Sequence, residues 1–185
     1  MTRIAPLLRR NATYAETSAP AALAPPALKV VIVSCLDHRL PPELVLGLRV
    51  GEAAVIRNAG GRVTDAVIED LAYLAFLSEQ LFPEAVDDSL FEVAVIHHRQ
   101  CGTGFLADPA FRARASASTG VAEERLLEVM VDEPERTVRD DVARLLAAPA
   151  ISPRMPVSGH VFDIETGRLS TVCDVDASPT RRRSG

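Results

Sequence analysis

Two short segments of this chain concentrate residues that can bind a soft metal or handle a proton. The first is Ser34-Cys35-Leu36-Asp37-His38-Arg39; the second is His97-His98-Arg99-Gln100-Cys101-Gly102-Thr103-Gly104. Thiolate and imidazole are ligands that zinc prefers, and two cysteines with one histidine leave one coordination position open, as catalytic zinc requires. Cys35, His98 and Cys101 make such a set, and His98-x-x-Cys101 is a feasible spacing for two ligands where a strand ends. Asp37 and Arg39 add a carboxylate and a guanidinium beside it. Each residue alone has a plainer reading. A buried Cys is usually a small core hydrophobe. His97 and His98 would separately be structural imidazoles, and an isolated Asp–Arg surface pair contributes about 0–1 kcal/mol. Their coincidence in two segments favours a metal site. His38 is a candidate proton relay. Cys173 lies beyond both segments and reads as a core or edge thiol, His160 as packing, and Gly102-x-Gly104 as a tight turn behind Cys101.

The two segments meet only if the elements before them are neighbours. Leu28–Ser34 is a continuous, β-branched apolar run, the pattern of a strand buried on both faces of a parallel sheet. Ala53–Arg57 and Phe91–His97 are two more such runs. Between these two, Thr64 or Asp65 can cap a helix in which Val67, Leu71, Leu74, Ala75, Leu77, Ser78 and Leu81 recur at helical spacing until Pro83. This helix is apolar over more than a narrow stripe, which implies contacts beyond one sheet face. Strand, helix, strand at this spacing is a βαβ unit with a right-handed crossover. Open α/β sheets bind ligands outside the carboxyl ends of strands, near a topological switch point, and both segments sit at strand carboxyl ends. Asp108–Ala117 and Glu123–Val131 are weaker helix candidates. Glu135–Ala147 is stronger, with Val138, Val142, Leu145 and Leu146 on one stripe and Pro134 at its start. Val157–Asp163 and Leu169–Val172, joined through Glu165-Thr166-Gly167, read as a β-hairpin. The expected organisation is an N-terminal arm and linker over 1–28, a single α/β domain over 29–175 and a disordered basic tail over 176–185. In the arm, Leu7, Leu8 and Tyr14 suit one side of a short helix, and the Ala/Pro-rich Ser18–Ala27 suits an extended path.

Composition bounds the function. A chain of 185 residues matches one domain. Its 48% hydrophobic content is enough for a sizeable core, which excludes a wholly disordered chain. A net charge of −5 disfavours a dedicated nucleic-acid binder. No apolar run approaches the ~20 residues of a membrane span, and the N-terminus lacks the apolar stretch of a secretory signal. Three cysteines, an odd number, argue for reduced thiols over a disulfide framework. The expected location is the cytoplasm, without nucleic-acid or membrane partners.

Cys35-x-Asp37-x-Arg39 and His98-x-x-Cys101-Gly102, with Arg57-Asn58-Ala59-Gly60 between them, make the chain resemble the β-class carbonic anhydrases, in particular their smaller prokaryotic members. The resemblance runs from about Ala27 to Val172 and includes the Gly159–Leu169 hairpin; Leu7–Ala15 is similar to the family's N-terminal arm. It implies four parallel strands with a fifth, antiparallel edge strand, flanked by helices. It implies one zinc ion (Zn2+) per chain on Cys35, His98 and Cys101, and Asp37 held beside it by Arg39. In such a dyad the carboxylate either leaves water as fourth ligand or closes onto the metal. The implied reaction is reversible hydration of carbon dioxide to bicarbonate and a proton, with zinc-bound hydroxide as nucleophile and Asp37 and Arg39 as catalytic residues. Zinc lowers the pKa of its water toward about 7, less strongly where two thiolates already neutralise the ion. Arg39 suits its part because a guanidinium is always cationic and its fork matches a carboxylate.

Three positions depart from the pattern. Arg99-Gln100 replaces the small polar residues many members carry, which implies altered local packing. Ile32 stands where members with a regulatory bicarbonate pocket carry Trp, and this chain has no Trp, so that regulation is not expected. Hydrolysis of carbonyl sulfide or carbon disulfide is the alternative on the same fold. A non-catalytic zinc module is a second alternative, for which only Asp37 is near enough to be a fourth ligand and Arg39 competes for it. A phosphatase role for Cys35 is disfavoured, because three residues between Cys35 and Arg39 are too few to wrap a phosphate. The resemblance also implies a homodimer or a dimer of dimers, the arm of one chain lying on the other.

Overall fold

The computed structural model describes residues 2–18, 23–85 and 89–175. The basic tail over 176–185 and residues 19–22 of the linker lie outside the described residues. Five strands form one sheet: β1 (Val30–Cys35), β2 (Ala53–Asn58), β3 (Glu92–His98), β4 (Val157–Asp163) and β5 (Arg168–Val175). Their order is β2-β1-β3-β4-β5. The β1–β2, β1–β3 and β3–β4 pairs are parallel and β4–β5 is antiparallel, giving four parallel strands and an antiparallel edge. The chain leaves β1 to one side for β2 and returns past it to β3. That reversal is the topological switch point, and it falls between the carboxyl ends of β1 and β3.

The helices are α1 (Ala5–Thr17), α2 (Pro42–Val45), α3 (Asp65–Leu81), α4 (Pro109–Thr119), α5 (Glu123–Glu128) and α6 (Pro134–Ala147). Side chains alternate across a strand, so the apolar runs serve two faces. Val31, Val33, Val93, Val95, Val157 and Val161 face α3 and α6, where Val67, Leu71, Ala75, Val138, Val142 and Leu145 complete one buried cluster. Burial of each such Val or Leu side chain contributes about 1.5–3 kcal/mol. Ile32, Ile96 and Phe162 form the opposite cluster with Leu40. That face is thinly covered: Val30, Val55 and Ala94 stay partly exposed.

Several local expectations are corrected. Thr64 occupies the N-cap position of α3, but neither Thr64 nor Asp65 caps it through its side chain; Asp65 pairs instead with Arg144 at 2.6 Å. Asp108 does cap α4, accepting from Ala110 N at 2.7 Å and Phe111 N at 2.9 Å. β1 begins at Val30, two residues later than its apolar run, because a turn (Lys29 N to Pro26 O, 2.8 Å) precedes it. α5 stops at Glu128, freeing Val129–Val131 to cross the strand ends as a non-helical strap. α2 carries no helical periodicity at four residues and was not foreseen. α1 forms, with Pro6 in the first turn where a helix tolerates it, yet none of its residues is buried; Ile4 before it and Leu7, Leu8 and Tyr14 within it are at least half exposed. On α3, Tyr73, Phe76 and Leu81 are likewise exposed.

Candidate metal centre

Cys35 is the last residue of β1 and His98 the last of β3. Ser34 pairs with Ile96 across these strands, so both ends open on the same edge of the sheet. Past His98 the chain must turn back at once. Arg99 N bonds to Phe162 O at 3.0 Å, and Gln100 takes a left-handed φ of 55°, which brings Cys101 back to the strand ends. A 3-10 segment, Gly102–Ala107, follows. Among the described residues, Cys35, His98 and Cys101 are the one group of three that could hold a metal ion. All three are buried, with ligand atoms within 4.8 Å of one another.

The donor atoms fit zinc. Cys35 Sγ and Cys101 Sγ stand 3.9 Å apart, far beyond a disulfide. Two sulfurs at tetrahedral angles and zinc–thiolate lengths would be separated by about 3.8 Å. His98 Nδ1 donates to Arg99 O at 2.9 Å, which fixes the tautomer and leaves Nε2 with its lone pair. Nε2 is buried without a hydrogen-bond partner. An unpartnered buried polar atom costs about 1–3 kcal/mol, and a cation beside it removes that cost. The sulfurs carry the same message. Sharing one proton with Cys35 holds the Cys101 thiol below its ordinary value, with His98 and Thr103 assisting, and pushes the Cys35 thiol up. Burial would lower the His98 pKa, but the Cys101 sulfur and the Asp37 carboxylate outweigh it and raise it. Thr103 Oγ1 lies 3.1 Å from Cys101 Sγ.

Asp37 and Arg39 stand next to this group. Asp37 Oδ1 accepts from Arg39 N and Nε, both at 2.9 Å, and Oδ2 accepts from Arg39 Nη2 at 2.6 Å. These bonds hold the Asp37 carboxyl well below the usual carboxylate range. Asp37 Oδ2 is 3.9 Å from His98 Nε2. Arg39 Nη2 also donates to Gln100 O at 3.0 Å, tying the two segments together. His38 is 93% exposed, with Nδ1 3.8 Å from Asp37 Oδ1. Cys173 is half-buried on β5, away from the group, and His160 bonds to Thr171 and Ser158 as a packing residue. Ile32 is a core side chain. Arg99 pairs with Glu135 and, at 3.8 Å, with Asp163.

Sequence reasoning missed the supports. Arg57 donates to the carbonyls of Cys35 (3.0 Å), Asp37 (2.7 Å) and Leu40 (3.2 Å), holding the loop that carries the dyad. Gly61, at φ 67°, passes so close to β1 that a Cβ would lie 2.7 Å from Cys35 N. Only the Arg57-Asn58-Ala59-Gly60 motif signalled this turn. Leu36, Asp37, Ala59, Gly60, Gly102 and Thr103 line, with the two cysteines, an open cavity of about 240 Å³ whose walls are mostly apolar. A larger cleft of about 520 Å³, between α6 and the hairpin, contains none of the residues of the group.

Metal-capable side chains at the carboxyl ends of two adjacent parallel strands define an α/β protein with its site at the switch point of the sheet. Relatives narrow that class. The carbonic anhydrase family model matches residues 30–116, which include both motifs. Beta-carbonic anhydrase 1 of Mycobacterium tuberculosis is 34% identical over 165 residues, covering 89% of this chain and 94% of that protein. The crystal structure of carbonic anhydrase from Streptococcus mutans superposes with a TM-score of 0.74 at 33% identity, over 94% of this chain and 99% of that one. This chain belongs to the β-carbonic anhydrase family. Within the same reach, a carbon disulfide hydrolase of Acidithiobacillus thiooxidans is 29% identical over 159 residues, 75% of this chain and 74% of that protein.

Proposed function

We propose that this chain is a zinc enzyme that hydrates carbon dioxide reversibly to bicarbonate and a proton. Cys35, His98 and Cys101 are the metal ligands in this reading, and Asp37 and Arg39 the catalytic pair. The observation that carries it is the buried, unpartnered Nε2 of His98 aimed at two sulfurs beside an arginine-held carboxylate. Bound zinc supplies Lewis acidity that ionises water near neutral pH. Arg39 keeps Asp37 ionised and fixes both its oxygens, so Asp37 acts as an acceptor that orients the attacking water. With both oxygens held by Arg39, Asp37 is a poor permanent fourth ligand, which argues against a closed structural site. Leu36, Ala59 and Gly60 offer an apolar wall suited to a small linear triatomic. Carbon disulfide and carbonyl sulfide share that shape, and the hydrolase relative makes them the second reading.

Assembly and location complete the proposal. The exposed apolar residues of α1, the thinly covered sheet face and Tyr73 and Phe76 on α3 favour a homodimer, or a dimer of dimers, in which the 1–28 arm lies on the partner. No helix among the described residues is long and apolar enough to cross a membrane; the reduced thiols of the metal group suit the cytoplasm. Stopped-flow hydration of carbon dioxide, run beside a carbon disulfide and carbonyl sulfide assay on zinc-loaded protein, tests the reading. Fast hydration with no sulfide release supports it, and sulfide release without hydration replaces it with the second.

A further inference from the structure

The carboxylate of Asp141, on α6, touches no ligand of the metal group, yet it gathers four donors. Arg62 Nε and Nη2 donate to it at 2.8 and 3.0 Å, Val63 N at 3.0 Å, and His97 Nε2 at 3.1 Å. Asp141 is 2% exposed and His97 fully buried. Burial would raise the Asp141 pKa, but His97 and Arg62 outweigh it and hold the group ionised. The rest of the cluster's polar groups reach outward. Arg62 Nη1 donates to Met130 O at 2.6 Å, Asn58 Nδ2 donates to Arg62 O at 2.8 Å, and His97 Nδ1 lies 2.8 Å from Thr137 Oγ1.

Three segments are thereby tied to one carboxylate: the Asn58–Val63 turn, the end of β3 and the Val129–Val131 strap. Each forms a wall of the metal group. Gly60 lines the cavity beside Cys35, and a Cβ on Gly61 would lie 2.7 Å from Cys35 N. His97 directly precedes His98. Val131 packs with Cys35 and Cys101, and the strap passes so close to both glycine turns that a Cβ on Gly60 would meet Val129 O at 2.3 Å and one on Gly104 would meet Val131 O at 2.9 Å. A buried ion pair is weak as a source of stability, since apolar packing of similar volume often does as well. Its distinctive contribution is geometry, because a guanidinium fork fixes direction as well as distance.

We propose that Asp141, with Arg62 and His97, is a positioning residue for the metal group, setting how the Cys35 side and the His98–Cys101 side face each other. The inference rests on the zinc reading above. Its test is zinc affinity, by competition with a chromophoric chelator, together with the absorption spectrum of the cobalt-substituted full-length protein. Asp141→Asn keeps the shape and removes the charge. It is expected to lose 10–100-fold in zinc affinity and to shift the cobalt ligand-field bands. Arg62→Lys keeps the charge and loses the fork; it should show the same changes and carries the test if Asp141→Asn does not fold. Leu145→Ala, also on α6 and fully buried, should lower the melting temperature while leaving affinity and spectrum unchanged. Folded Asp141→Asn or Arg62→Lys with wild-type affinity and spectrum overturns the proposal, as does a Leu145→Ala spectrum shifted equally. A wild-type chain that takes up no zinc overturns the zinc reading itself, which distinguishes the two failures.

Discussion

At the scale of single residues, the donor set decides what the site can bind. His98 Nδ1 is committed to Arg99 O, so replacing the ring removes the unpartnered Nε2 that completes the ligand set with the two sulfurs. Elemental analysis of the native chain should find about one zinc per chain, and Cys35→Ser, His98→Ala and Cys101→Ser should each lose it. Cys173→Ser, remote from the group, should keep it; zinc retained in all three ligand variants would remove the assignment. The dyad behaves differently. Asp37→Ala and Arg39→Ala leave the three ligand atoms in place, so zinc should stay while hydration falls roughly 10²-fold or more, the usual share of a proton-handling group. An Asp37→Ala enzyme as fast as the native one would take Asp37 out of the mechanism. Residue types and spacing made these five positions legible. Thr103 and Arg57 were not legible as supports, because a hydroxyl beside sulfur and an arginine on three carbonyls leave no pattern along the chain.

At the scale of elements, the strand ends are held by turns that tolerate little change. Gly61 combines a positive φ with contact against β1, so Gly61→Ala is expected to lower both the melting temperature and zinc retention; a variant unchanged in both would contradict the close approach. The helix cap and the hairpin turn add to the response to acid that the Arg-held carboxylates Asp37 and Asp141 also make. Asp108 is held below its ordinary value by the N–H groups of Phe111 and Ala110, and Asp163 by those of Thr166 and Glu165. A carboxylate whose folded pKa is depressed stabilises the fold above its unfolded value, about 3.9. That contribution is lost as pH falls through the folded value. Melting temperature should therefore drop below about pH 4, and Asp108→Asn should flatten that drop relative to the native chain. Equal slopes would mean the cap does not contribute. The apolar runs marked every strand and the long helices correctly, since burial on two faces leaves a strong period. They placed the ends of β1 and α5 wrongly, because a preceding turn and a crossing strap are tertiary contacts.

At the scale of the whole molecule, α1 and one face of the sheet are left with apolar surface that the described residues do not cover. Ile4, just before α1, and Leu7, Leu8 and Tyr14 within it are exposed by half or more, and Phe105, near the site, is 68% exposed. α1 buries none of its residues in its own domain, so deletion of residues 1–26 should leave the zinc ligands intact while weakening association and activity together. Sedimentation of native and shortened chains, with hydration measured on each, checks this. A native monomer near 20 kDa that is fully active at micromolar concentration would refute it.

What the chain alone determined was local chemistry: two cysteines, a histidine and an Asp–Arg pair, each at the end of an apolar β-branched run. Spacing of that kind survives in one dimension because each motif spans only a few residues. The tertiary structure decided the rest. Cys35 and Cys101 are 66 residues apart, and only the parallel pairing of β1 with β3 brings their sulfurs to 3.9 Å. Arg62 and Asp141 are 79 residues apart, and only the packing of α6 against the sheet makes them a pair. Neither member of that pair differs in sequence from an ordinary surface charge; burial among donors is what gives them a role, and burial is a property of the folded chain.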